Sequence, residues 1–231
     1  MKNPILLLHG ALGSREQFLP LQEILSSHRK VFTMDFEGHG KLESENIFSI
    51  ELFTQNISDF LTENGISKID IFGYSMGGYV ALNFARKQPN LVDKIITLGT
   101  KFEWTPAFAE KEMQMLNPAK IEEKVPSFAA RLKQLHGEQN WKRLVANTAE
   151  MMQHLGRDTT LKLDDLAEIK NRVLICLGEL DVMSTEIESI TVANALPNGK
   201  FHKIENLKHP IESAPVDKIA SIINNFLIEK N

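Results

Sequence analysis

The sequence has a single cysteine, no long apolar run and no block of like charges, and each absence excludes a class of protein. One cysteine, Cys176, cannot form an internal disulfide or a cysteine metal cluster. No run approaches the roughly 20 apolar residues of a membrane span, and residues 5–8 are too short for a signal-peptide core. The 26 Lys and Arg residues nearly balance 30 Asp and Glu residues. We therefore expect a cytoplasmic protein with no leader and no nucleic-acid or membrane partner.

The sequence does contain short apolar runs that alternate with segments of helical periodicity. The runs lie at residues 5–8, 30–34, 68–72, 94–98, 172–177 and 200–204. Strands covered on both faces of a parallel sheet have this pattern. One helical stripe spans residues 50–61, between Ser49 and Gly65, and a second spans residues 216–227. The alternation predicts a doubly wound α/β fold.

One interval breaks the alternation. Residues 101–168 contain no predicted strand, only helix-like segments interrupted by prolines and glycines. We predict that residues 1–100 and 169–231 form the α/β core and that residues 101–168 form an all-helical insertion. The insertion holds four of the eight methionines, which suit either an adaptable apolar wall or an ordinary helical core.

A serine motif follows the third apolar run. The sequence Gly73-Tyr74-Ser75-Met76-Gly77 lies between the strand at 68–72 and a predicted helix at 79–86. A G-x-S-x-G turn between a strand and a helix is tight and lifts the serine hydroxyl above the sheet. Ser75 is therefore the candidate nucleophile, and it needs a nearby base because a free hydroxyl is a weak nucleophile.

Four further motifs occur in the order found in the α/β-hydrolase superfamily, which the chain resembles in its serine-nucleophile branch with a helical cap. They are H-G-A-L-G at 9–13, D-F-E-G-H-G at 35–40, G-E-L-D at 178–181 and the loop 206–212 around His209. The resemblance implies a mostly parallel sheet of about six strands, flanked by helices. Because the first motif follows the first strand, we expect the family's N-terminal hairpin to be absent. The strand at 30–34 then becomes an edge, and pairing of such edges in a homodimer is a hypothesis.

The resemblance assigns the reacting side chains. It makes Ser75 the nucleophile, His209 the base and Asp181 the acid that orients the histidine. His202 is the alternative base, and Glu179 and Asp35 are alternative acids. His9 and His39 belong to the two loop motifs, and we interpret both as braces of their turns.

The resemblance also implies an oxyanion hole made of backbone N–H groups. Met76 supplies one amide and Ala11 supplies the second, with Leu12 as the alternative. Leu12, Tyr74 and Trp104 are candidate pocket residues, although simple packing explains each of them equally well.

These residues predict a serine hydrolase that cleaves a small-molecule carboxylic ester or thioester through an acyl-enzyme, without metal or organic cofactor. Residues 9–14 and the turn at Asp35 also resemble the menaquinone-pathway synthase, so a lyase or C–C bond hydrolase with the same triad is the alternative. An anionic substrate of that enzyme would need basic residues, for which the insertion offers Arg131, Arg143 and Arg157. We interpret these three as solvated surface residues, because the insertion as a whole has no excess of positive charge. A binding module that has lost catalysis is a third hypothesis.

Overall fold

The structure is a computed structural model that describes residues 2–229. Six parallel strands form one sheet in the order β2-β1-β3-β4-β5-β6. The strands are β1 (Ile5–Leu8), β2 (Val31–Met34), β3 (Ile69–Tyr74), β4 (Val92–Leu98), β5 (Arg172–Leu180) and β6 (Gly199–Lys208). The predicted sheet of six strands is confirmed, and β2 lies at its edge as expected.

Helices cover both faces of the sheet. They are α1 (Leu19–Ser26), α2 (Ile50–Glu63), α3 (Met76–Lys87), α4 (Pro106–Met115), α5 (Pro118–Lys124), α6 (Pro126–His136), α7 (Asn140–Arg157), α8 (Glu186–Ala195) and α9 (Val216–Ile228). Side chains alternate between the faces, so Ile5 and Leu7 pack with α1 and α9, whereas Leu6 and Leu8 pack with α2 and α3. The doubly wound α/β architecture is thereby confirmed.

The predicted ends of α2 agree with its local chemistry. The Ser49 hydroxyl accepts a hydrogen bond from the Leu52 amide at 3.0 Å, which satisfies one unpaired N–H group of the first turn. Gly65 follows the helix with a φ of +62°, a backbone conformation that glycine adopts without steric cost.

Residues 101–168 contain helices α4 to α7, a short 3-10 helix at Asp164–Glu168 and no strand. Three of the helices begin with proline, which fits the first helical turn because its missing N–H group would be unpaired there. A small apolar cluster between α5, α6 and α7 is built around Leu132 and Trp141. That this segment acts as a separate cap stays a prediction.

No helix within residues 2–229 is both long enough and apolar enough to cross a membrane.

Candidate active site

The turn that carries Ser75 joins the end of β3 to the start of α3. Ser75 has a φ of +51° and a ψ of −119°, a strained conformation for a residue with a side chain. The Ser75 amide donates to the Leu98 carbonyl oxygen at 2.8 Å, and the Thr100 hydroxyl donates to the Ser75 carbonyl oxygen at 2.9 Å. These bonds to the end of β4 hold the turn in place at the carboxyl edge of the sheet.

Gly77 allows α3 to lie directly against β1. A Cβ atom at this position would be 2.3 Å from the Leu8 carbonyl oxygen, closer than any real contact. The second glycine of the motif is therefore required by the close approach of two backbones, as expected for such a turn.

His209 and Asp181 form a hydrogen-bonded pair at the same edge of the sheet. The His209 Nδ1 and Asp181 Oδ2 atoms are 2.8 Å apart, and the Asp181 side chain is only 1% exposed. The other carboxylate oxygen of Asp181 accepts the amides of Met183 at 2.8 Å and Ser184 at 3.2 Å. Because the Asp181 carboxylate accepts this hydrogen bond, the proton lies on His209 Nδ1, and His209 Nε2 keeps its lone pair.

The alternative acids and the alternative base lie elsewhere. Asp35 accepts a hydrogen bond from the Arg15 amide at 2.7 Å and forms an ion pair with the same residue at 3.4 Å. Glu179 is exposed and accepts a backbone amide of the β6 segment at 3.0 Å. His202 is exposed on β6. The structure brings none of the three to His209.

His9 and His39 lie buried beneath the two loop motifs. His9 donates from Nδ1 to the Gly10 carbonyl oxygen at 2.8 Å and accepts the Phe36 amide at Nε2 at 3.1 Å, so it ties the first loop to the second. The His39 ring stacks on Phe48. Burial lowers the pKa of His9 to about 4 and the pKa of His39 well below its usual value. Both rings are therefore neutral packing groups.

A cavity of about 50 Å³ lies over Ser75. Its lining comprises Ala11, Ile50, Ser75, Met76, Tyr79, Lys101, Trp104, Phe108, Glu112, Met151, Met152, Leu155, Met183 and His209. Core loops form one side of it, and helices α4 and α7 form the other. Among the described residues 2–229, the Ser75 hydroxyl forms no hydrogen bond with His209, although both line this cavity.

The two candidate oxyanion amides also belong to the cavity lining. Met76 is the first residue of α3, where helical N–H groups have no partner within the helix. Within residues 2–229, no protein hydrogen bond uses the amide of Ala11 or of Met76. Both N–H groups are therefore free to bind an anionic oxygen beside Ser75.

Of the three candidate pocket residues, only Trp104 lines the cavity. Tyr74 is buried behind it, and its hydroxyl donates to the His209 carbonyl oxygen at 3.1 Å. Leu12 packs against the apolar cluster of the helical segment. The interpretation of Tyr74 and Leu12 as pocket residues is thus corrected, because the alternation of β3 and the course of the loop turn both side chains away.

A larger open groove lies at the amino ends of the strands, lined by residues that include Lys68, Asp93 and Arg172. It contains none of the candidate side chains. In parallel α/β sheets, ligands bind at the carboxyl ends of the strands. The small cavity over Ser75 is therefore the candidate active site.

Comparison with known proteins identifies the family. A family model described as "alpha/beta hydrolase fold" matches residues 3–162, which is more than half of the chain. The chain belongs to the α/β-hydrolase fold family.

Two curated relatives and one solved structure illustrate the similarity of this α/β hydrolase to other members. The chain is 31% identical over 132 residues to the sn-1-specific diacylglycerol lipase ABHD11 of Danio rerio, covering 55% of this chain and 42% of the relative. It is 27% identical over 128 residues to ethanol acetyltransferase 1 of Wickerhamomyces ciferrii, covering 52% and 33%. The chain thus spans less than half the length of these curated relatives. The enol-lactonase of Burkholderia xenovorans LB400 has the same fold, with a TM-score of 0.80 at 19% identity over 99% of this chain and 92% of that one.

The three arginines expected near an anionic substrate lie on the surface of this α/β hydrolase. Arg131 is 45% exposed and paired with Glu212, and Arg143 and Arg157 are exposed. None of them lines the cavity over Ser75. The interpretation of these arginines as solvated surface residues agrees with their exposure, and the alternative that they line a basic pocket does not.

Sequence reasoning missed His136, the last residue of α6. The Gly40 amide donates to its Nδ1 at 2.9 Å, so Nε2 carries the proton and donates to the Leu12 carbonyl oxygen at 3.0 Å. The buried ring therefore joins the helical segment to both loop motifs, next to the Ala11 amide. Its burial lowers its pKa. No local pattern marks a histidine whose partners lie 96 and 124 residues away.

Sequence reasoning also missed Gly99, which directly follows β4. Its φ is +62°, and a Cβ atom there would be 3.0 Å from Asp181 Oδ2 and 3.2 Å from His209 Nδ1. A glycine at the carboxyl end of a strand was a usable signal, because that edge of the sheet carries the reacting groups.

Proposed function

We propose that the protein is a serine hydrolase that cleaves a small-molecule carboxylic ester or thioester. The observation that carries the proposal is the hydrogen bond between His209 and Asp181, beside a cavity that also contains Ser75 in its strained turn. This arrangement offers a nucleophile, a base with a free Nε2 atom and a buried carboxylate that fixes the ring.

The reaction follows from these positions. As the Ser75 oxygen attacks the substrate carbonyl, His209 Nε2 takes its proton, and the amides of Ala11 and Met76 stabilise the negative oxygen. Collapse of this intermediate breaks the bond to the alcohol or thiol, which receives the proton from His209. A water molecule then gives a proton to His209, attacks the acyl-enzyme and releases the acid, and the proton returns to Ser75. Asp181 stabilises the imidazolium in both halves.

The Ser75–His209 hydrogen bond is expected to form when the substrate binds, since such bonds are often long or absent without substrate. The relatives support acyl chemistry, because one is named a lipase and another an acetyltransferase. We further propose that residues 101–168 act as a cap, since α4 and α7 supply one wall of the cavity. A cavity that none of the three arginines lines argues against the anionic substrate of the lyase alternative.

A panel of p-nitrophenyl esters of increasing chain length, with acyl-CoA thioesters beside it, tests the proposal. We expect the wild-type protein to cleave short-chain esters, and we expect Ser75→Ala and His209→Ala to lose at least about 1,000-fold in kcat. Ser26→Ala changes an exposed serine of α1 and serves as the matched control. Equal rates for Ser75→Ala and wild type would refute the proposal, and inactivity of a wild type that still binds ligands would favour a binding module.

A further inference from the structure

One charged side chain in the cavity has no role in the proposed reaction. Glu112 lies on α4, is 5% exposed and lines the same cavity as Ser75 and His209. Within residues 2–229, its carboxylate accepts no hydrogen bond and has no Lys, Arg or His nitrogen within 4.0 Å. A carboxylate that lies in a mostly apolar cavity without a protein partner destabilises the fold, so its presence there needs another explanation.

The rest of the cavity does not supply that partner. Among the described lining residues, Lys101 is the other charged side chain, and its ammonium is paired with the Glu188 carboxylate. Glu188 also accepts the Phe102 amide at 3.1 Å, which fixes the pair in place. The remaining walls are mostly apolar. Apart from the reacting groups of Ser75 and His209, a molecule in the cavity therefore meets one unpaired side-chain acceptor, Glu112, among mostly hydrophobic side chains.

We infer that Glu112 binds a hydrogen-bond donor, a hydroxyl or an ammonium, on the acyl part of the substrate. The inference rests on the proposed function. The acyl part stays attached to Ser75 after the leaving group has gone, so it is the part that occupies this small cavity. A cavity of about 50 Å³ suits a short acyl chain better than a long one. The substrate class is thus a short hydroxyacyl or aminoacyl ester or thioester.

The burial of Glu112 destabilises the free protein, and it also makes Glu112 discriminate between ligands that donate a hydrogen bond and ligands that do not. Desolvation raises the pKa of Glu112, while the nearby Lys111, His209 and Lys101 charges lower it. A donor that enters the cavity replaces the lost water, whereas an ether or alkyl group leaves the carboxylate unpaired. Discrimination of this kind exceeds what an apolar pocket achieves against a group of similar size.

Four p-nitrophenyl esters of nearly equal size test the inference: propionate, methoxyacetate, glycolate and glycinate. Each kcat/KM is divided by that for propionate in the same protein, and comparing variants with wild type then cancels intrinsic reactivity. In Glu112→Leu we expect the relative value for glycolate or glycinate to fall about 10- to 100-fold, with methoxyacetate unchanged. Glu112→Gln keeps the glycolate preference and loses the glycinate preference if the ligand is an ammonium. An unchanged preference for both donor esters in Glu112→Leu overturns the inference.

A second measurement needs no substrate. If Glu112 serves a ligand, Glu112→Leu should unfold at the same or a higher temperature than wild type, because the variant buries no unpaired charge. A Tm several degrees lower would identify a structural role and overturn the inference. Glu110→Leu, at an exposed position of the same helix, is the matched control for both measurements.

Labelling by an alkyl fluorophosphonate, which carries no donor, separates this inference from the proposed function. Wild type and the matched control Glu110→Leu should both label. A wild type that does not label refutes the proposed function, whereas labelling combined with an unchanged donor preference refutes only the role of Glu112.

Discussion

Replacing Gly99 by alanine is expected to impair both the stability and the turnover of the protein. A side chain at a φ of +62° costs about 1–2 kcal/mol in backbone strain. The new methyl group would also lie 3.0 Å from Asp181 Oδ2 and 3.2 Å from His209 Nδ1, so the pair must move by a few tenths of an ångström. The 2.8 Å hydrogen bond between them lengthens as a result.

The magnitude follows from that hydrogen bond. A bond to a charged group contributes about 1.5–3 kcal/mol, and losing it as the imidazolium forms corresponds to a fall of about 10- to 100-fold in kcat. Gly65→Ala is a close control, because Gly65 also has a φ of +62° but nothing within 4 Å of an added Cβ. In urea unfolding, both variants should lose a similar free energy of unfolding from backbone strain. Any further loss of stability should occur only in Gly99→Ala.

Ester hydrolysis then separates the two variants. We expect a reduced kcat for Gly99→Ala and a wild-type kcat for Gly65→Ala, with the cleavable ester from the p-nitrophenyl panel as substrate. If Gly99→Ala turned over as fast as Gly65→Ala, the geometry of the Asp181–His209 pair would not matter for catalysis, and the reasoning would be refuted.

Three further predictions concern pH, the two hydrogen bonds that His136 makes to the loop motifs, and the edge strand β2. The free energy of unfolding should fall as the pH is lowered from 6.5 to 4. In this range His9 binds a proton in the unfolded chain but stays neutral in the folded protein, which lowers the free energy of unfolding by about 3 kcal/mol. His39 and His136 have lowered pKa values and act in the same direction. Asp70, whose pKa is raised to about 6, acts in the opposite direction, and we expect the histidines to outweigh it. Urea titrations at pH 7 and pH 4.5 measure the net change in stability, and equal stabilities would contradict the prediction. His136→Phe should lower kcat about 10-fold with little change in KM, since it removes two hydrogen bonds beside the loop that carries the Ala11 amide. An unchanged kcat would show that these hydrogen bonds do not contribute to catalysis. Light scattering should detect association through β2 at high protein concentration, and a monomer throughout would end that hypothesis.

Sequence reasoning predicted the sheet and the Ser75 turn because both depend on short, contiguous patterns. The apolar run at 68–72 and the glycines beside Ser75 are neighbours in the chain, so their geometry is local. The order of motifs along the chain implied the pairing of Asp181 with His209, and the adjacency of β5 and β6 brings the two loops together.

The bounds of β6, the strand at the edge of the sheet opposite β2, were predicted less well. The apolar run at 200–204 is shorter than β6, which extends over Gly199–Lys208. β6 has a neighbour on one side only and exposes most of its residues, so polar side chains continue the strand. An apolar pattern detects only the part of such a strand that is buried.

The contacts that tune the site could not be predicted. Nothing in α4 distinguishes the buried Glu112 from the exposed Glu110 two residues earlier, because the difference arises from how α4 packs against α7 around the cavity. Tyr74 was a candidate pocket residue that simple packing explained equally well. Its hydroxyl instead holds the backbone of His209, a contact between residues 135 apart in the chain.

The most direct test of the central claim is covalent labelling of Ser75. Wild-type protein treated with an alkyl fluorophosphonate is expected to gain the mass of one phosphonyl group, located by tandem mass spectrometry on the peptide that contains Ser75. The Ser75→Ala variant is expected to gain none. A wild type that gains no mass, or a Ser75→Ala variant that gains as much as wild type, would contradict the assignment of Ser75 as the activated nucleophile.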